Sequence, residues 1–136
     1  MGTRLEHVRS YYESLNTGDA GAVARHFTPD AVHYYTRREP QLGGRAIAEQ
    51  AALAVEHLRA RWTLEHAVEG DDEVAIEWTM EFDHPRDGRR LLDRGAEFLA
   101  FREGLICEVR AYYNERGGDL AGFDHAARGH TVLAPG

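Results

Sequence analysis

The sequence predicts an α+β domain with helices packed against one face of an antiparallel sheet, and three observations lead there. Apolar residues recur at helical spacing up to Leu58, then alternate with polar ones from Trp62 onward. The chain is 136 residues long, which allows one domain and little else. Hydrophobic residues make up 43% and charged residues 29%, the balance of a chain that folds around a core. A domain of this size buries about 68% of the surface its unfolded chain exposes, so it needs no disulfide or metal staple.

Thr3 opens the first helix, with Glu6 three residues on, the capping-box spacing that satisfies two orphan N–H groups. Leu5, Val8, Tyr12 and Leu15 then form one apolar stripe, with Tyr11 on its flank. Asn16-Thr17-Gly18-Asp19 stops this helix, and Asp19 caps a second, short one through Val23 to Phe27. Thr28-Pro29-Asp30 ends that in turn, because a residue before proline disfavours the helical region. Ala31 to Thr36, rich in β-branched and aromatic residues, reads as a strand, and the polar stretch Arg37 to Gly44 as a loop. Ile47, Ala51, Ala54 and Leu58 share one face of a third helix, joined by Val55 and Trp62. Trp62, Leu64, His66 and Val68 then alternate with Thr63, Glu65, Ala67 and Glu69 up to the turn Gly70-Asp71-Asp72. The cleanest strand follows, with Val74, Ile76, Trp78, Met80 and Phe82 on one side. A loop from His84 to Arg89 leads to two more strands, Leu91 to Arg102 and Leu105 to Tyr113, around the turn Glu103-Gly104. The domain thus spans residues 1–114. Residues 115–136 have five glycines and no periodicity, and are expected to be a mobile tail whose Leu120, Phe123 and Val132 can dock on the body.

Composition excludes several functions. There are 16 basic and 23 acidic residues, a net charge of −7, and no basic patch to bind a nucleic-acid backbone. No apolar run approaches a membrane span, and the first residues carry no signal-peptide core. The lone Cys107 rules out a disulfide framework and a cysteine-rich zinc site, and suits a reducing cytoplasm. Every basic residue is arginine, so Schiff-base and lysine-nucleophile chemistry are excluded; the Arg/Ala/Gly bias fits a GC-rich bacterial genome. Histidines lack the i, i+4 spacing of a helical zinc site, and Gly43-Gly44-Arg45 lacks the spacing of a phosphate loop, so no metal or cofactor is expected.

A pocket shows in a sequence as a polar residue on an otherwise apolar strand face. Glu97 shares one face with Gly95, Leu99 and Phe101, while Arg94, Ala96, Phe98, Ala100 and Arg102 take the other. Both faces are mixed, so periodicity does not decide which is inside. With the Glu97 face inward, desolvation raises the carboxyl pKa and makes it a general acid or a neutral donor. With that face outward, Glu97 is solvated or paired with an arginine. His66, between Leu64 and Val68, is either a buried hydrogen-bonded histidine or a proton carrier. His33 and Tyr35 share one strand face, and Tyr11 ends in a hydroxyl that caps the core or enters a cavity. Glu65 falls on the face opposite Leu64 and His66, which separates it from any pocket shared with Glu97.

Tyr11-Tyr12-Glu13-Ser14-Leu15-Asn16-Thr17-Gly18-Asp19, followed by Phe27-Thr28-Pro29-Asp30-Ala31, resembles the opening of the NTF2-like superfamily. That group includes ketosteroid isomerases and SnoaL-like polyketide cyclases. Pro40 to Ile47 is similar to its loop into the third helix, and Phe98 to Tyr113 to its last two strands. The resemblance covers residues 4 to 114, in the family's order. It implies a cystatin-like cone, three N-terminal helices packed on a curved antiparallel sheet around an apolar pocket for one small hydrophobic molecule. It also implies a homodimer.

Residue by residue, the resemblance to ketosteroid isomerases places the first-helix oxyanion donor on Tyr11 and the second, a protonated carboxyl, on Glu97. Their aspartate base falls on Tyr35, or on Tyr34 if the loop shifts by one, and a phenol with pKa near 10 is a poor base at neutral pH. The late-strand aspartate of SnoaL-like cyclases falls on Ala111, and the last-strand aspartate of limonene-epoxide hydrolases on Asn114. The hydrolase arginine and second aspartate fall near Trp78 and Met80. Each reaction in its usual form therefore lacks a residue here. The expected function is a cofactor-free acid–base enzyme of isomerase, cyclase or hydratase type, acting on a hydrophobic carbonyl-containing molecule. Glu97 is its acid or base, Tyr11 its hydroxyl donor, and His33 or His66 its second proton carrier. Tyr35, Trp78, Met80, Leu99, Val109 and Tyr113 are expected to line the pocket. The alternative is a non-catalytic module of the same fold that binds a hydrophobic ligand or dimerises.

Overall fold

The structure, a computed structural model, describes residues 3–114; the tail expected from residue 115 onward lies outside them. Helix α1 spans Arg4–Leu15 behind the capping box read from the sequence, with both Thr3–Glu6 hydrogen bonds formed. The Asp19 side chain caps α2 (Ala20–Ala24), and α3 spans Gly44–Leu58. Gly43, at φ 93°, supplies the left-handed turn into α3 that other residues adopt only under strain. Six strands follow the order β2 (Gln41–Leu42), β1 (Phe27–Tyr34), β6 (Leu105–Tyr113), β5 (Arg90–Arg102), β4 (Glu73–Asp83) and β3 (Arg61–Glu69) across one curved, open sheet.

The helices pack on the concave face, and their apolar stripes meet the inward residues of the strands. Val8, Leu15, Val23 and Ile47 pack with Val74, Leu99, Ile106 and Val109 as one core. Asn16 fastens the end of α1 to the sheet by accepting from Trp62 N–H at 2.7 Å and donating to Trp62 C=O at 2.9 Å.

Three features depart from the sequence expectation. The sheet is mixed: β3 to β6 are hairpin-linked and antiparallel, but β1 runs parallel to β6. These two strands lie at opposite ends of the chain's path, so no tight turn dictates their relative direction. Strand β1 also starts at Phe27 rather than Ala31. Pro29 is tolerated because the β1–β6 register shifts between Phe27 and Val32, so no ladder bond is asked of it there. Finally, β3 carries a bulge between Leu64 and His66. Glu65 is the extra residue, and every side chain beyond it changes face. Ala67 consequently packs on the core, while Val68, expected inside, is 57% exposed.

Candidate active site

The concave sheet, α1 and α3 enclose a cavity of about 560 Å³, within the range of small-molecule sites. Its walls are largely aromatic. Tyr11 and Tyr12 come from α1, Trp62 from β3, Trp78 from β4 and Tyr113 from β6, with Tyr35 just beyond β1. A Cβ at Gly95 would lie 2.6 Å from Tyr113 Cβ and 2.7 Å from Trp78 Cζ2. Glycine there lets these two rings approach β5, and they sit 5.7 Å apart.

Glu97 stands on β5 between Ile76 and Ala111 in the register, with its face turned inward. The residue is 3% exposed, lines the cavity and is paired with no cation among the described residues. Burial pushes its carboxyl up to about 7, against a smaller downward pull from Tyr12. Tyr12 donates its Oη–H to Glu97 Oε1 at 2.6 Å. A carboxyl so poised both donates and accepts a proton near neutrality.

The phenols around it stay protonated. Burial, then the Glu97 charge, pushes Tyr11 and Tyr12 well above their usual value, and burial pushes Tyr35 up to about 12. Tyr11 packs edge-on against Tyr12 and Phe27, and its hydroxyl bonds to no described residue. His33 lines the same cavity, stacked on Tyr35 with centroids 4.2 Å apart. Burial brings it down to about 4, so the imidazole is neutral at physiological pH, and its Nδ1 is buried without a partner among the described residues.

Of the residues singled out from the sequence, Glu97, Tyr11, His33, Tyr35, Trp78, Met80 and Tyr113 all border this cavity. Three do not. His66 pairs with Glu77 across β3–β4, on the outer face, because the bulge at Glu65 reverses the alternation. Leu99 and Val109 are opposite one another on β5 and β6 and fully buried, so they belong to the core beyond Glu97 rather than to the walls. Ala111 borders the cavity, so the cyclase aspartate position carries only a methyl group. Asn114 instead accepts from Arg94 N–H at 3.3 Å, outside the cavity lining.

Sequence reasoning assigned Tyr12 to the core stripe and passed over Asp93, which is 8% exposed and lines the cavity. Both had signals. A tyrosine in mid-stripe carries a hydroxyl that needs a partner when buried, and Asp93 shares the alternation parity of Glu97. Among the described residues no group of three or more His, Cys, Asp or Glu is placed to hold a metal ion. No helix among them is long and apolar enough to cross a membrane.

Comparison with known proteins agrees with this architecture. No curated protein matches the chain significantly. A solved structure from Methylobium petroleophilum PM1, of unknown function and cystatin-like fold, is 33% identical, covers 98% of this chain and 94% of its own, and superposes with a TM-score of 0.72. A hypothetical protein of ketosteroid isomerase-like fold from Catenulispora acidiphila DSM 44928, solved with trimethylamine, is 18% identical over 82% of this chain and 88% of its own, with a TM-score of 0.74. The epoxide hydrolase/cyclase-like enzyme SalBIII, studied for pyran ring formation in the polyether salinomycin, is 20% identical over 84% of this chain and 92% of its own, with a TM-score of 0.72. The model of the SnoaL-like domain matches residues 8–109, which hold most of α1, Glu97 and most of the cavity walls, and the chain belongs to that family within the NTF2-like superfamily.

Proposed function

We propose that this protein is a cofactor-free acid–base enzyme of the isomerase, cyclase or hydratase type, acting on a hydrophobic carbonyl-containing small molecule. The observation that carries this reading is the buried Glu97 carboxyl, paired with no cation among the described residues and held by Tyr12 at 2.6 Å on a cavity wall. Glu97 takes a proton from carbon or delivers one to oxygen, and Tyr11 donates to the oxyanion that forms. Neutral His33 is the second proton carrier. His66 has no part, being on the outer face. The SnoaL-like family membership and the epoxide hydrolase/cyclase-like neighbour support small-molecule chemistry of this type.

Deuterium exchange at the α-carbon of 2-tetralone, an apolar enolisable ketone, tests it by NMR. The wild type accelerates exchange, and Glu97→Gln lowers that acceleration by about 10²-fold or more. Equal rates in the two proteins sink the reading. Tyr35 at the usual base position, with its phenol pushed up to about 12, favours the second reading, a non-catalytic binder of hydrophobic ligands. Equal rates together with retained ligand affinity select that reading.

Assembly as a homodimer belongs to the same proposal. Phe98 and Tyr112 meet edge-on at 6.2 Å on the outer sheet face, 40% and 54% exposed, with Leu92 exposed at 43% on the same side. Light scattering of wild type and Phe98→Glu measures it, with a monomeric wild type as the contrary result. A bacterial, cytoplasmic setting fits the arginine-only basic residues and the free thiol of Cys107.

A further inference from the structure

The cavity's opening differs in charge from its interior. Arg38, from the loop after β1, and Arg86, from the turn between β4 and β5, both line it and are exposed. In that turn Arg89 is paired with Asp87, and Arg90 with Asp83, which also binds Arg59. The turn's carboxylates are thus engaged by other arginines, and Arg86 has no acidic partner among the described residues. Arg38 has none either; its guanidinium lies 4.1 Å above the Tyr35 ring, a contact that aims the charge without neutralising it. Exposed arginines without acidic partners among the described residues occur elsewhere, as at Arg25 and Arg37. What sets Arg38 and Arg86 apart is that both border one cavity from separate loops. On a chain of net charge −7, two such cations at one opening form a local field that attracts anions.

Distances along β5 set the size of what fits. Glu97 and Asp93 are four residue steps apart along β5, about 13 Å, and the Arg86 turn lies at the Asp93 end. A molecule that reaches from one end to the other is as long as two or three fused rings, and the aromatic walls favour a flat one.

We propose that Arg38 and Arg86 form an anion-binding subsite at the opening, so that the molecule taken is flat and apolar with one carboxylate-like group remote from Glu97. This rests on the reading of the cavity as a hydrophobic small-molecule site. Asp93, on the wall at the Arg86 end, is engaged in an interaction of its own.

Two probes that differ in a single anionic group test the subsite: 1-anilinonaphthalene-8-sulfonate and the neutral N-phenyl-1-naphthylamine. The chain's two tryptophans, Trp62 and Trp78, both border the cavity, so energy transfer from them to either probe reports binding there. Arg38→Gln combined with Arg86→Gln raises the Kd of the sulfonate about tenfold at low salt and leaves the neutral probe within about twofold. In the wild type, 0.5 M NaCl weakens the sulfonate alone. An unchanged sulfonate Kd in the variant overturns the subsite while leaving the hydrophobic cavity intact. Equal weakening of both probes also overturns it, by showing that the arginines shape the opening rather than read charge. Energy transfer to neither probe in the wild type removes the subsite and the hydrophobic-ligand reading together.

Discussion

Glu97 on β5 and Asp83 at the end of β4 are the same functional group in opposite surroundings. Glu97 faces the cavity with a phenol as its only hydrogen-bond partner among the described residues, and burial pushes it up to about 7. Asp83 lies at the sheet's edge between Arg59 at 2.5 Å and Arg90 at 3.0 Å, which pull it down to about 2. Residue type therefore says little about what a carboxyl does in this protein. The number of cations and the amount of water within reach decide whether it is a proton carrier or a surface strut.

The largest expected effect tests the Glu97 side of this contrast. A carboxyl whose pKa rises on folding binds its proton more tightly in the native state, so its burial costs stability as pH rises. The loss starts near the unfolded value of about 4.5 and is complete just above 7, amounting to about 3 kcal/mol. Urea unfolding at pH 5 and pH 8 is expected to show most of that loss in the wild type and its absence in Glu97→Gln. The difference between the two proteins isolates Glu97 from His33, whose lowered pKa makes stability rise with pH between about 4 and 6.5. A wild-type-minus-variant difference independent of pH contradicts the buried acid.

Gly95→Ala comes next. Its methyl group meets Tyr113 and Trp78 below 3 Å, so unfolding is expected to show a loss of about 1–3 kcal/mol from overpacking. Undiminished stability would mean that the rings move aside freely and the cavity wall is soft.

Tyr12→Phe removes a bond that favours ionised Glu97, so carboxyl NMR is expected to show Glu97 titrating about one unit higher. Tyr11→Phe is expected to move it less. Equal shifts from both variants would remove the distinction between the two phenols. The smallest effect belongs to Asp83→Asn. Its partners are in water, so the thermal midpoint at pH 7 is expected to change less than in either Gly95→Ala or Glu97→Gln. What the pair does contribute is present above about 3.8 and fades as pH falls toward 2.

Much of the scaffold was readable before any coordinates. The Thr3–Glu6 box, the Asp19 cap and the alternation from Val74 to Phe82 are local rules, and each is obeyed. Val68 and His66 depart from the alternation because a bulge shifts it by one residue without any composition signal at Glu65. The strand through Pro29 is not legible in the sequence because proline reads as a breaker wherever the partner strand is unknown. The helical spacing of Tyr12 is that of a core residue and does not announce its hydroxyl bond. Only the approach of β5, 85 residues away in sequence, supplies the carboxylate its hydroxyl bonds to.

The sequence alone carried the order of the helices and the long strands, the Thr3 and Asp19 caps and the family likeness, because these follow from short-range spacing and composition. It also marked Glu97 as an anomaly on its strand. Three matters waited for the assembled chain: which face of β5 is inside, which phenol meets the carboxyl, and which arginines are left without acidic partners. All three depend on groups distant in sequence coming close in space, and the free energy of a buried charge is set by those neighbours rather than by the residue itself.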